Sequence, residues 1–356
     1  MQPVRAADRL SASEINDVLA LAAAAAEADG VHPLSEDVVL RVRGDAPHPG
    51  VHLLSYASPE RLAGYAYVSE GSGELVVHPQ FRRRRHGTAL LAAAGTGPLS
   101  FWAHGDDPGA AVFADRNGFT RARVLWQMRR SLLEPLPEIP FPPGVTVRPF
   151  QPGTDEQAWL DINARAFAHH PEQGRWTHTD LLAREAEPWF DPAGFLLAVP
   201  DPDQPSAPGP ASGSGSASGL ASGSGSAPGP ASGSGSASGP ASGSGSASGP
   251  ASGSGSASGS GAASGSGKLA GFHWTKIHPA EGTDPAIGEI YVLGIDPTGH
   301  RRGLGAALSV AGLTYLAGRG LTIANLYVDE SNEAAVKLYR RLGFQIHKTD
   351  ISYQRP

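Results

Sequence analysis

Apolar positions along the chain recur with two periods, and each switch between them marks an element boundary. Runs rich in β-branched and aromatic residues predict strands at 62–68, 74–77, 101–103 and 124–129. The same signal returns at 145–148, 194–199, 269–277, 289–295, 321–328 and 345–353. Helical spacing predicts helices over 10–29, 88–94 and 110–117, and later over 155–167, 179–187, 304–317 and 332–342. Ser11 or Ser13 can cap the first of these. Strands alternating with helices point to an α/β fold.

Two stretches break the pattern. Residues 134–144 carry five prolines and form a stiff connector, the best domain boundary in the sequence. Residues 200–267 are largely an Ala-Ser-Gly-Ser-Gly-Ser repeat with almost no apolar bulk or charge. Such a segment cannot offset its ordering entropy and is expected to be a flexible coil. It separates 195–199 from 269–274, which look like hairpin partners, and a long insertion at a hairpin tip costs little because closure entropy grows logarithmically. The expected organisation is therefore an N-terminal domain over 1–134, a linker over 135–144, and a second domain over 145–356 interrupted by an insertion at 200–267.

The two halves repeat each other. Gly64-Tyr-Ala-Tyr-Val, Glu74-Leu-Val-Val-His-Pro, Arg82 to Gly87 and Ala110 to Phe119 reappear in order. Their counterparts are Gly271-Phe-His-Trp-Thr, Glu289 to Pro297, His300 to Gly305 and Ala334 to Phe344. Four blocks in one order indicate duplication. The copies are unequal: Arg85 stands where the second copy has Gly303, His86 where it has Leu304, and Ala114 where it has Tyr339. Asn332 has no clear counterpart, the first copy offering Asp107 or Pro108.

Composition narrows the chemistry. The chain has 356 residues, a net charge of −6 and no cysteine. That excludes disulfides, a cysteine nucleophile and thiolate metal sites, and gives no pull toward nucleic acid or anionic membrane. No apolar run reaches the length of a membrane span and no secretory pattern opens the chain, so a cytoplasmic protein is expected. His169-His170 cannot form a metal pair on regular structure, and no metal is expected.

The turn His300-Arg301-Arg302-Gly303-Leu304-Gly305 joins a strand to a helix N-terminus, a natural anion site where unpaired N–H groups and the helix dipole point at the ligand. It is neither a Walker loop nor G-x-G-x-x-G. It resembles the pyrophosphate loop Q/R-x-x-G-x-G/A of the GCN5-related N-acetyltransferases (GNAT), with His300 in the first place. Asn332, Tyr339 and Gly343-Phe344 resemble the N-x-x-A-x-x-x-Y…G-F signature of the same family. The tandem arrangement, together with 170–174, 271–276 and 291–297, resembles the mycothiol-forming branch of that family. The resemblance implies two tandem GNAT-like domains, each a mixed central β-sheet flanked by helices.

It further implies acetyl transfer from acetyl-CoA to the cysteinyl amine of the pseudo-disaccharide Cys-GlcN-Ins. The acceptor would contact Glu36, Glu172, Lys276, Glu289 and Tyr327. Acetyl-CoA would lie along Leu293, Gly294 and Ile295; along His300, Arg301, Arg302, Gly303, Leu304, Gly305 and Ala306; and along Asn332, Glu333, Ala334, Ala335, Val336 and Lys337. The matching segments of the first copy are Leu75, Val76 and Val77, with Arg83, Arg84, Arg85, His86, Gly87 and Thr88. A side chain at Arg85 obstructs close pyrophosphate approach there, so the first copy is read as non-catalytic with residual CoA binding.

Amine acetylation needs a base for the ammonium, donors for the oxyanion and an acid for the departing thiolate. Glu289 is the expected base, acting through water, and Tyr339 the expected acid. Gly294, mid-strand, suggests a bulge that frees an N–H for the thioester oxygen. The remaining readings are an acetyltransferase for an aminoglycoside, polyamine or protein N-terminus, and a non-catalytic acyl-CoA-binding protein. A monomer is expected.

Overall fold

The computed structural model describes residues 3–44, 50–168, 171–201, 221–223, 268–280, 285–298 and 302–356. The N-terminal half runs β1 (Arg5–Ala7), α1 (Ala12–Asp29), α2 (Glu36–Arg43), β2 (Val51–Ser58), β3 (Arg61–Ser69), β4 (Ser72–Val77), α3 (His86–Ala94), β5 (Leu99–His104), α4 (Pro108–Arg116) and β6 (Thr120–Ser131). The C-terminal half repeats that order with β7 (Val145–Pro149), α5 (Glu156–Ala166), the single turn α6 (Pro171–Gly174), α7 (His178–Glu185), β8 (Phe195–Pro200), β9 (Ala221–Gly223), β10 (Gly271–His278), β11 (Ile287–Ile295), α8 (Leu304–Gly318), β12 (Ile323–Asp329), α9 (Glu333–Arg341) and β13 (Gln345–Arg355). Among the described residues the insertion strand β9 and the single turn α6 have no counterpart in the first half. No helix among the described residues is long and apolar enough to cross a membrane.

Local chemistry accounts for the boundaries. Ser11, not Ser13, caps α1, in a capping box closed by Glu14, and Gly30 ends the helix in the left-handed region. Asn332 caps α9 through an acceptor contact with the Ala335 N–H at 3.1 Å. Asp107 caps α4 in the same way, accepting from Gly109 and Ala110, which makes it the positional counterpart of Asn332. The strands of 195–200 and 271–278 pair antiparallel, as the hairpin expectation required.

Among the described residues the strands form one continuous sheet in the order β1-β2-β3-β4-β5-β13-β6-β12-β11-β10-β8-β7, with β9 added against β11. The centre of that order is an exchange. The last strand of the first half, β6, pairs with β12 of the second. The last strand of the second half, β13, lies between β5 and β6. Helices cover both faces. On one face α1 and α2 pack over the first half and the α5–α7 segment over the second, around Trp159, Phe195, Phe272 and Trp274. On the other, α3 and α4 cover the first half, and a core of Leu304, Leu308, Leu313, Ile290, Leu326 and Tyr339 lies under α8 and α9. Leu136, Ile139 and Phe141 of the proline-rich segment pack against that last core.

The Ala-Ser-Gly insertion departs from a wholly coiled expectation at one place. Ala221–Gly223 pair antiparallel with Gly294, Leu293 and Val292. Glycine and alanine can add to this edge because the backbone alone supplies the hydrogen bonds.

Candidate active site

Parallel strands β11 and β12 pair only from Gly288–Ile290 to Ala324–Leu326, although β11 continues to Ile295 and β12 to Asp329. The two strands part beyond Ile290. β4 and β5 do the same in the first half, pairing only from Ser72–Glu74 to Ser100–Trp102. Glu289 and Glu74 thus both stand close to where a parallel pair opens.

A bulge decides which face Glu289 takes. Trp274 pairs with Val292 and Thr275 with Ile290, so Tyr291 is the extra residue. Side chains alternate along a strand, so Val292 and Glu289, three apart, would otherwise project to opposite faces. With Tyr291 inserted, both share the face of Trp274 and Lys276, and Lys276 stands directly opposite Glu289. The bulge expected at Gly294 is therefore at Tyr291. Gly294 pairs in register with Phe272, and a Cβ there would come within 2.4 Å of the Phe272 ring. Close packing of an aromatic core, not a freed N–H, explains that glycine.

Glu289 is 3% exposed, and His278 Nε2 donates to its Oε2 at 2.5 Å. Lys276 is 6% exposed; its Nζ lies 4.8 Å from the Trp189 ring centroid and 5.5 Å from that of Tyr291. These contacts hold a buried cation against aromatic faces. Tyr327, two residues beyond the Glu289 partner Asn325, accepts from Gln127 Nε2 at 2.9 Å. Burial, and next the nearby Glu289 carboxylate, push the Tyr327 phenol up, so it is a neutral hydrogen-bonding group. The structure thus brings Lys276, Glu289 and Tyr327 together on one face. The side chains of Glu36 and Glu172, and residues His169, His170, His300 and Arg301, lie outside the described residues. Backbone geometry still places two of them. Ser35, next to Glu36, donates its N–H to Glu74 at 2.7 Å, and the turn of Glu172 is tied to α5 through reciprocal Asn163–Gln173 hydrogen bonds.

On the opposite face, α8 begins at Gly303 (φ 87°) without a side-chain cap, and a Cβ built there meets nothing within 4 Å. The N-terminus of a 15-residue helix without a side-chain cap suits a diphosphate. Arg85 holds the same place in α3, also left-handed at φ 69° and also without a cap. Tyr339 follows the Asn332 cap by two turns and is fully buried, edge-on to Phe344 at 5.7 Å. It belongs to the core shared with Leu304 and Leu308. Glu289 and Tyr339 therefore flank the parted strands from opposite faces.

Residues 252–344 match the Acetyltransferase (GNAT) family. The sequence is 50% identical to the mycothiol acetyltransferase of Streptosporangium roseum, over 98% of this chain and 97% of that protein. It is 47% identical to that of Salinispora arenicola, over 98% and 95%. The chain belongs to the mycothiol acetyltransferase family. Members of this family are acetyltransferases, and as GNAT proteins they use acetyl-CoA. The fold agrees with that of a GCN5-related N-acetyltransferase from Sphaerobacter thermophilus (TM-score 0.62, 21% identity, 99% of this chain and 96% of that one). It also agrees with a tandem GNAT protein from the clavulanic acid biosynthesis pathway (TM-score 0.56, 16% identity, 99% and 98%). The duplicated α/β architecture expected from the sequence is the one observed.

Several polar residues around Glu289 and Tyr327 escaped the sequence reading. His278 had a weak signal, a histidine two residues beyond Lys276. Gln127 and Asn325 had none: Asn325 meets Glu289 only through the β11–β12 pairing, and Gln127 reaches Tyr327 only through the exchange of β6.

Proposed function

We propose that the chain transfers the acetyl group of acetyl-CoA to the cysteinyl amine of Cys-GlcN-Ins, giving mycothiol. The observation that carries this reading is the pairing of a buried carboxylate, Glu289, with Lys276 and Tyr327 at the point where β11 and β12 part. The mycothiol acetyltransferase activity for which the relatives are named supports the acceptor class.

Acetyl-CoA supplies an activated acetyl group and leaves as a thiol. Arg302, Gly303, Leu304, Gly305 and Ala306 would hold its diphosphate through the α8 N-terminus, and Asn332 to Lys337 would line its arm. The backbone of Leu293 to Ile295 offers the arm a strand edge once β9 leaves it. Glu289, fixed by His278, takes the proton of the attacking ammonium, directly or through one water. Lys276 and Tyr327 hold acceptor oxygens beside it, and Glu36 and Glu172 close the same side. Tyr339 gives its proton to the departing thiolate from the other face, the parted strands letting groups on both faces meet at one bond.

The test is a mass-spectrometric acetylation assay with purified protein, acetyl-CoA and Cys-GlcN-Ins beside free cysteine and an aminoglycoside. Acetylation of Cys-GlcN-Ins in preference to the others is expected. Transfer only to another amine would overturn the acceptor assignment. Acetyl-CoA binding without any transfer would leave a binding module.

A further inference from the structure

Three polar atoms at the centre of the sheet are buried and have no hydrogen-bond partner among the described residues: Gln127 Oε1, Arg129 Nε and Asn325 Oδ1. Gln127 is 7% and Asn325 4% exposed. The three are cross-strand neighbours. Asn325 lies opposite Arg129 and Tyr327 opposite Gln127, so all four side chains stand on one face. Asn325 is also the register partner of Glu289, which puts that carboxylate on the same face. Buried polar groups in folded proteins are nearly always paired, and three adjacent exceptions on the face of the proposed base call for a ligand.

Their chemistry restricts that ligand. Tyr327 engages one end of the Gln127 amide, leaving the oxygen at the other end without a partner. Arg129 Nε needs an acceptor, while the carbonyl oxygens of Gln127 and Asn325 need donors. A hydroxyl group is both. Neighbouring charges pair among themselves: Arg123 pairs with Asp329 at 2.8 Å, and His104 lies 3.1 Å from Asp350 and 3.4 Å from Glu74. A phosphate or carboxylate could accept from Arg129 but would offer no donor to the two amide oxygens beside it. Strand spacing sets β6 about 10 Å from β11 across β12, far enough to hold a part of the acceptor remote from its amine.

We infer that Gln127, Arg129 and Asn325 form a binding site for the hydroxyl groups of a neutral polyol moiety of the acceptor. Two of these residues come from β6, so the half without the glycine turn contributes acceptor specificity. The inference rests on the placement of the acceptor beside Glu289.

The variants Gln127→Met and Asn325→Leu test it, each replacing a buried amide whose oxygen is unpaired by an apolar group of similar size. Three readouts apply: thermal stability without ligand, calorimetric binding of Cys-GlcN-Ins, and the ratio of kcat/KM for Cys-GlcN-Ins to that for hydroxyl-free cysteinamide. Each variant is expected to keep or raise Tm, weaken Cys-GlcN-Ins binding about tenfold, and lower the specificity ratio by a similar factor. A fall in Tm with an unchanged ratio would show that the residues are merely structural and overturn the inference. Unchanged binding would do the same. Glu289→Gln, run in parallel, separates the two readings. If it retains turnover, the base assignment fails, while the calorimetric comparison still decides whether the polyol site exists.

Discussion

The two halves share a scaffold and differ in what stands at three comparable points. Where the second half has Gly303 at a left-handed helix start, the first has Arg85 in nearly the same backbone conformation. Where the second has Tyr339, seven residues after its cap Asn332, the first has Ala114, seven after its cap Asp107. Glu289 faces Lys276 beside Tyr327, whereas Glu74 is taken up by the Ser35 N–H and by His104. Under the proposed mechanism each change removes one function, phosphate approach, proton donation or a usable carboxylate, and leaves the strand parting intact. Architecture alone therefore does not make an acetyltransferase site.

Mutations can break this contrast. Glu289→Gln should lower turnover most, by about 10²–10⁴-fold, with acetyl-CoA affinity retained in calorimetry. Tyr339→Phe should cost about 10²-fold in kcat, again with acetyl-CoA binding kept; a large loss of affinity in either variant would contradict the role given to it. Gly303→Arg copies the first half into the second and should raise the acetyl-CoA KM about tenfold. The reciprocal Arg85→Gly should strengthen a second, weaker CoA-binding event.

A pH experiment separates the two carboxylate environments further. Burial alone would lower the His104 pKa, but contacts with Asp350 and Glu74 outweigh it and raise it to about 10. A group with a raised folded pKa stabilises fully below its unfolded value, near 6.5, and loses that contribution as pH rises through 10. The Tm difference between wild type and His104→Gln should therefore be largest at pH 6 and shrink toward pH 10. The smallest effect is expected from deleting residues 207–266. Shortening the loop should stabilise the fold by roughly 1–2 kcal/mol, with an acetyl-CoA KM no higher than in the full chain.

Most elements of the fold were legible because their hydrophobic periods were long and clean, as in 10–29 and 304–317. The strand Val51–Ser58 and helix Glu36–Arg43 were not read from sequence. The strand carries buried polar residues, His52 and Ser55, whose partners Tyr65 and His86 are distant in the chain. The glycine turn, Asn332 and Tyr339 were legible as a local motif. The bulge was assigned to Gly294 since glycine is the usual marker, whereas Tyr291 carries no such mark. Recruitment of Gln127 to the site could not be read at all, because it depends on which half receives β6.

That exchange also governs how the molecule can be made. β5 lacks its neighbour, and β6 has an open edge, until β13 has been synthesised. Neither half can complete its sheet on its own during translation. Pairings such as Asp350 with His104, 246 residues apart, make folding a late, non-local event. Separately expressed halves should thus fold poorly alone yet assemble when mixed, each lending the other its final strand.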